Sequence, residues 1–269
     1  MISDRMSFLK ARIDDREEIL SFCQDTWQSG IYSQLPHEPD EITRETMHEY
    51  IDSAIDQWIN QGTLYKTVVN EEIAGILNVE VLDDDTVWMG GLRVKESFRR
   101  LGIASATTLS AVNLYRSHKR FRISIFSWNE PSLGLARKMR FKEIAEICFL
   151  KPEYAKETYD SNILCTVNTP SAFFIDWKYF VPSKHTLSRL KEEGRILEND
   201  AGAAYLDINA SPAGLSYASV LKANNFAGIV EKICKRVRNG RVLFMQECRR
   251  NWTPAQFPNV KLVVMELVP

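Results

Sequence analysis

Arg99-Arg100-Leu101-Gly102-Ile103-Ala104 lies directly between a β-like run, Thr86 to Val94, and a helix-like run that continues to about His118. No other stretch constrains the fold as much, because it fixes a strand–loop–helix unit and an anion site together. The first backbone N–H groups of a helix have no partner inside it, and the helix dipole places partial positive charge there. Two arginines beside those amides add charge-assisted donors suited to phosphate. The loop is not a P-loop, since no Gly-Lys-Ser/Thr follows, and it lacks the three spaced glycines of a dinucleotide fingerprint. A nucleotide such as ATP is therefore the weaker reading of the ligand.

Around this unit the pattern reads as strand, helix, helix, three strands, helix, strand, helix, strand: a mixed sheet covered by helices. Ser7 to Ile13 is the first strand, and an amphipathic helix runs from about Asp15 to Trp27. The second helix, about Thr43 to Asn60, places Met47, Tyr50, Ile51, Ala54, Ile55 and Trp58 at helical spacing. Leu64–Val69 and Glu72–Leu82 are β-rich runs joined by Asn70-Glu71, a short hairpin signal. Arg120 to Trp128, Ser132 to Met139 and Phe141 to Leu150 read as strand, helix and strand. Pro152, Pro170 and Pro182 then punctuate a stretch of weak periodicity, so a boundary is expected near residue 160, dividing the chain into 1–160 and 161–269. In the second half a helix ends at Gly194, a hairpin turns at Asn199-Asp200, a helix runs from Phe226 through Val237, and Arg241–Gln246 and Val260–Val268 are strands. That order repeats the first half without its glycine loop, which fits a degenerate internal duplication or an unrelated α/β appendage.

Composition narrows the class. With 34 basic and 35 acidic residues, the formal net charge is −1, so no global field points to nucleic acid or a membrane surface. No apolar run approaches the roughly 20 residues that span a bilayer, and Met1-Ile-Ser-Asp-Arg-Met lacks the features of a signal peptide. Cys23, Cys148, Cys165, Cys234 and Cys248 are odd in number and show no Cys-x-x-Cys spacing, which argues against a disulfide framework or zinc site. With four scattered histidines, no metal is expected, and a cytoplasmic protein is. Oligomeric state stays open, a homodimer included.

Taken together, Val87 to Phe141 resembles the core of the GNAT superfamily of acyl-CoA-dependent N-acyltransferases. The family's phosphate-loop pattern, Arg/Gln-x-x-Gly-x-Gly/Ala, is met by Arg99, Gly102 and Ala104, and Leu92-Arg93-Val94 resembles its Leu-x-Val. Asn129 stands like the asparagine beyond the family's fifth strand, and Arg140-Phe141 stands where Gly-Phe closes the next helix. The resemblance covers about residues 5 to 150. Trp88-x-x-Gly91-Leu-Arg-Val94 with a long second half is also similar to the subgroup of amino-acid (histidine-type) N-acetyltransferases. The implied fold is a mixed, bulged and splayed α/β sheet flanked by helices, with a smaller C-terminal α/β half. Acetyl-CoA is the implied cosubstrate, and a small-molecule or peptide amine the implied acceptor.

The resemblance implies roles for individual residues. Backbone N–H groups from Arg100 through Leu101, Gly102, Ile103 and Ala104 would bind the CoA pyrophosphate, with Arg99 and Arg100 supplying charge; a solvated turn with two surface arginines is the alternative. Gly102 would let the backbone approach the phosphate closely. Gly90-Gly91 would mark a bulge that splays two parallel strands, so that Leu92, Arg93 and Val94 border the pantetheine arm and a backbone amide polarises the thioester carbonyl. An attacking amine must lose a proton. Glu80, sharing a strand face with Asn78, is the candidate base, or else a solvent-exposed strand-end glutamate. Asp83, Asp84 and Asp85 read as turn formers. The family's thiolate-protonating tyrosine falls on Ala136, so Ser132 or a water held by Asn129 would serve instead. Trp27, Tyr32 and His37 could line an acceptor pocket or simply anchor a long loop. A catalytically weak acyl-CoA-binding regulatory module is the competing functional class.

Overall fold

In β3 the side chains alternate between two cores, and this sets the layers of the molecule. The computed structural model describes residues 6–23, 50–152, 172–208, 215–237, 241–247 and 261–269. In chain order the elements are β1 (Met6–Lys10), α1 (Arg16–Cys23), α2 (Ile51–Asn60), β2 (Leu64–Val69), β3 (Glu72–Val81), β4 (Thr86–Val94), α3 (Ile103–Leu114), β5 (Arg120–Phe126), α4 (Glu130–Lys138) and β6 (Lys142–Leu150). Then follow β7 (Phe173–Ile175), β8 (Lys178–Phe180), α5 (Lys184–Glu192), β9 (Ile196–Asn199), β10 (Gly202–Asp207), β11 (Ser216–Ala223), α6 (Phe226–Arg236), β12 (Val242–Glu247) and β13 (Lys261–Leu267). Leu77 and Val79 pack with Ala111 of α3 and Leu133 and Ala136 of α4, while Ile76 packs with Ile19 of α1 and Ile51 and Ile55 of α2. Helices therefore cover both faces.

Among the described residues, one sheet of eleven strands spans both halves in the order β1-β2-β3-β4-β5-β13-β6-β12-β11-β10-β9. The β4/β5 and β11/β12 neighbours are parallel. The last strand, β13, runs antiparallel to β5 on one side and to β6 on the other. In turn β6 runs antiparallel to β12. Each half thus lends its closing strand to the other.

The second half repeats the first in register as well as in order. On β4 the pairing with β3 passes from Asn78↔Gly90 to Ile76↔Arg93, so Gly91 and Leu92 together face Leu77. On β11 the pairing with β10 passes from Ala204↔Val220 to Ala203↔Lys222, leaving Leu221 as the extra residue. Gly91 and Leu221 hold equivalent places relative to the strand starts, Thr86 and Ser216. The parallel pairing is also matched. It covers Thr86–Trp88 against Arg120–Arg122 and Ser216–Ala218 against Val242–Phe244.

The mixed sheet, the strand Thr86–Val94 and the turn at Asn199-Asp200 agree with the sequence reading. Two elements were not legible. Strand β11 went unread, and so did the β7–β8 hairpin, whose turn residues Asp176 and Trp177 both have positive φ, +49° and +63°. A two-residue turn with both central residues left-handed favours Asn-Gly, so an Asp-Trp pair gives no sequence signal. The cysteine spacing argued against a disulfide framework, but Cys148 is disulfide-bonded, so that expectation is corrected. The boundary near residue 160 and Trp27, Tyr32 and His37 fall outside the described residues. No described helix is long and apolar enough to cross a membrane.

Val263 and Met265 of β13 are buried in one cluster with Phe121, Leu133 and Phe141 of the first half. A chain ending at residue 160 loses that strand and leaves β5 and β6 unpaired along facing edges, a template for aggregation. Such a fragment is expected in the insoluble fraction on expression; a soluble, cooperatively melting fragment would contradict this.

Candidate functional site

The loop after β4 turns through two left-handed residues. Arg99 is extended, Arg100 has φ +64° and Gly102, the residue before α3, has φ +82°. The first helical bond runs from the Ala106 N–H to the Gly102 carbonyl at 3.0 Å, so the N–H groups of Ile103, Ala104 and Ser105 have no acceptor within the helix. No side-chain cap is made at this helix start among the described residues, whereas Asn129, Ser183 and Asn225 cap α4, α5 and α6. A Cβ on Gly102 would meet nothing within 4 Å. The glycine is favoured by its φ, and the protein itself does not crowd it. Ile103 anchors the turn in a cluster with Val69 and Ala74, and Leu101 is exposed. The Arg99 Nε donates to the Val94 carbonyl at 3.3 Å, and Arg100 is exposed with no ion pair among the described residues.

The bulge opens the sheet beside this loop. Gly91 has φ +64°, the left-handed conformation of a bulge glycine, and a Cβ there would sit 2.8 Å from the Trp58 ring of α2. Beyond Trp88, β4 has no ladder to β5, whose opposite edge pairs with β13 from Phe121 through Phe126. The stretch Met89–Val94 therefore borders a cleft between two diverging parallel strands, and the α3 N-terminus follows directly from it. Leu92 lies at the bulge, and its carbonyl accepts from the Arg93 guanidinium at 3.1 Å. Arg93 is buried, 5.5 Å over the Tyr50 ring.

On the face of the sheet that carries α1 and α2, polar groups gather at the cleft. The Asn78 side-chain amide donates to Glu80 Oε1 at 2.7 Å, and Lys178 of β8 forms an ion pair with Glu80 Oε2. Trp88 and Gly90 lie opposite Glu80 and Asn78 on β4. The hairpin that supplies Lys178 is held down by the acidic turn. Arg122, buried on β5, donates to Asp84 Oδ2 at 3.1 Å, to Glu266 Oε2 at 2.8 Å and to the Tyr179 carbonyl at 3.0 Å. The Val181 N–H donates to Asp84 and the Ser183 N–H to Asp83. Burial works to raise Asp83, but hydrogen bonds from Thr186 and Ser183 outweigh it and hold its carboxyl below the ordinary range. Asp83 and Asp84 are thus clamps between the halves as well as turn formers, and Asp85 pairs with His118 at 2.6 Å. Lys178 and this clamp had no local sequence signal.

At the far side of the cleft, Asn129 Oδ1 accepts the Ser132 N–H at 3.2 Å, so both residues have a capping task at the start of α4. Ala136 is buried against Leu133 and Phe141. Arg140 adopts φ +67° and the Phe141 N–H bonds back to the Ala136 carbonyl at 3.0 Å, the helix-closing geometry that favours glycine. The structure thus brings Leu92, Arg93, Val94 and the Arg99–Ala104 loop together along one strand–loop–helix unit. Glu80 lies on the α1/α2 face of the neighbouring strand. In the second half, by contrast, only Asn224 and Asn225 separate β11 from α6, and Asn225 Oδ1 accepts the Gly228 N–H at 2.9 Å. No three-residue group of metal-ligating side chains occurs among the described residues.

Comparisons with known proteins show that this mixed sheet flanked by helices is similar to acetyltransferase folds. Residues 26–141 match the acetyltransferase (GNAT) family model, so the resemblance read from Val87 to Phe141 holds on that segment. The chain is similar to a candidate acetyltransferase from Thermoplasma acidophilum, with 27% identity, TM-score 0.71, and 98% of this chain and 100% of that chain covered. A GCN5-related N-acetyltransferase from Sphaerobacter thermophilus shares the fold, with 13% identity, TM-score 0.60, and 100% and 97% covered. So does a candidate acetyltransferase from Pyrococcus horikoshii, with 15% identity, TM-score 0.57, and 98% and 89% covered. The fold is thus shared over essentially the full length. No curated protein matches the chain.

Replacing Arg122 with methionine leaves the side chains of Asp84 and Glu266, 8% and 16% exposed, facing each other without their cation. Loss of about 3–5 kcal/mol of stability is expected in urea unfolding. A loss well under 1 kcal/mol would mean that the clamp is solvated.

Proposed function

We propose that the protein is an acetyl-CoA-dependent N-acetyltransferase that acetylates a primary amine by direct attack. The observation that carries this reading is the uncapped start of α3 set directly behind a strand that has left its neighbour. The N–H groups at the start of α3, with Arg99 and Arg100, suit the pyrophosphate of CoA. Leu92, Arg93 and Val94 border the cleft that would admit the pantetheine arm, and an amide of β4 would polarise the thioester carbonyl. As the amine nitrogen bonds to the acetyl carbon, the carbon–sulfur bond breaks, CoA leaves as the thiolate, and Glu80 accepts the proton lost by nitrogen. Asn129 and Ser132 then serve chiefly to cap α4, with the Ser132 hydroxyl a candidate to donate to the thiolate. The acceptor is a small-molecule or peptide amine.

The second reading is a catalytically weak acyl-CoA-binding module, favoured by Ala136, which puts a methyl group in the core where the family often places a phenol. Purified protein with acetyl-CoA and a panel of primary amines separates the two. Amine-dependent thiol release supports the enzyme, and CoA binding without it supports the module. Gly102→Val forces a β-branched residue into φ +82°. It is expected to weaken CoA binding by tenfold or more in calorimetry, by roughly 1.4 kcal/mol; unchanged affinity removes the loop assignment. Glu80→Gln is expected to lower amine-dependent turnover by about 10²-fold and to abolish the acidic limb of its pH profile. A parallel, merely scaled profile would remove Glu80 as the base.

A further inference from the structure

We infer that the Asn78 side-chain oxygen receives an N–H of the acceptor, and that the Asn78–Glu80 pair selects primary over secondary amines. The inference rests on the acetyltransferase reading and assigns its acceptor seat. Asn78 is 2% exposed, and its Oδ1 has no hydrogen-bond partner among the described residues. Buried polar oxygens are nearly always paired, so an unpartnered one calls for an explanation. Turning the amide over cannot cure it. The Nδ2 group donates to Glu80 Oε1 at 2.7 Å, and the opposite orientation would set the amide oxygen against that carboxylate. Glu80 thereby fixes which way Oδ1 points.

The position suits a substrate. Asn78 lies directly opposite Gly90 on β4, where a Cβ would touch only the Trp88 indole, at 3.4 Å. Gly91, the bulge residue, comes next, and the parallel ladder to β5 has ended at Trp88↔Arg122. An unpaired acceptor and a carboxylate therefore stand side by side at the point where β4 opens. Lys178 secures the other Glu80 oxygen, so the carboxylate keeps a fixed orientation toward Asn78. A neutral primary amine carries two N–H groups. It can give one to Asn78 Oδ1 and one to Glu80 while its lone pair attacks. A neutral secondary amine has only one and must leave one of the two acceptors unmet. A site built with a buried hydrogen-bonding group discriminates strongly against a ligand that cannot pair it.

The test compares matched acceptors, benzylamine with N-methylbenzylamine and tyramine with N-methyltyramine, in wild type, Asn78→Ala and Asn78→Ser. Wild type is expected to favour the primary amine in kcat/KM by at least about tenfold, the scale of one hydrogen bond. Asn78→Ala should erase most of that preference, mainly through a rise in KM for the primary amine, with CoA affinity unchanged by calorimetry. Asn78→Ser, which keeps an oxygen, should restore part of it and covers the case that the alanine variant does not fold. An unchanged preference in either folded variant overturns the inference while leaving the acetyltransferase reading intact, as does a wild type indifferent to N-methylation. Thiol release that responds to no amine in wild type overturns both.

Discussion

The antiparallel pairing of β6 with β13 holds the molecule together, because each strand closes the half to which it does not belong in sequence. β13 completes the edge of β5 and β6 completes the edge of β12. Val263 and Met265 then fill the core beneath α3 and α4, while Leu262 and Val264 fill the core beneath the β7–β8 hairpin. Burying such side chains contributes on the order of 1.5–3 kcal/mol each. The exchange therefore makes the two cores a single cooperative structure. It also places Glu266 beside Arg122, so the same strand that joins the cores supplies half of the charge for the clamp under Lys178.

Against that common frame the halves differ where a ligand would bind. Both keep the bulge, and both end their parallel ladders after three residue pairs. Only the first half has a long link with a left-handed glycine before its helix. The second runs almost directly into α6, whose first turn is satisfied by Asn225. An N-cap of that kind contributes about 1 kcal/mol, which an incoming anion would have to displace. The splay can thus serve packing alone in one half and an open helix start in the other. Around the second splay, Arg195 pairs with Asp176 and stacks over Tyr205. Burial there works to raise Asp176, but hydrogen bonds from Tyr205 and Arg195 hold it below its ordinary range. A cation from the chain itself occupies this cluster.

The sequence made the strand–loop–helix unit legible because its signals are local: a β-run, a glycine with room for positive φ, and a helical period. Asn78 and Glu80 could be placed on one strand face for the same reason, since alternation is a two-residue rule. Lys178 could not be found that way. It reaches Glu80 across 98 residues of sequence, from a three-residue strand behind a turn with no glycine. The exchange of β6 and β13 was equally invisible, because each strand has the composition of an ordinary buried strand and nothing local names its neighbour. Gly102 was legible as a glycine position, and its left-handed dihedral angle favours that residue.

The buried Ala136 bears on how the proposed chemistry divides its work. A thiol of pKa near ~8.5 lies only about 1.5 units above neutral pH, so water can protonate the leaving thiolate. An alkyl ammonium near ~10.4 must give up a proton against about three units. The demanding side of the reaction is therefore the amine, and that is the side on which this chain concentrates its polar groups. Lys178 holds one Glu80 oxygen there, and its positive charge opposes a protonated amine entering the same seat. A site so arranged admits the neutral nucleophile and leaves the thiolate to solvent, and under that division of labour a methyl group at Ala136 removes little.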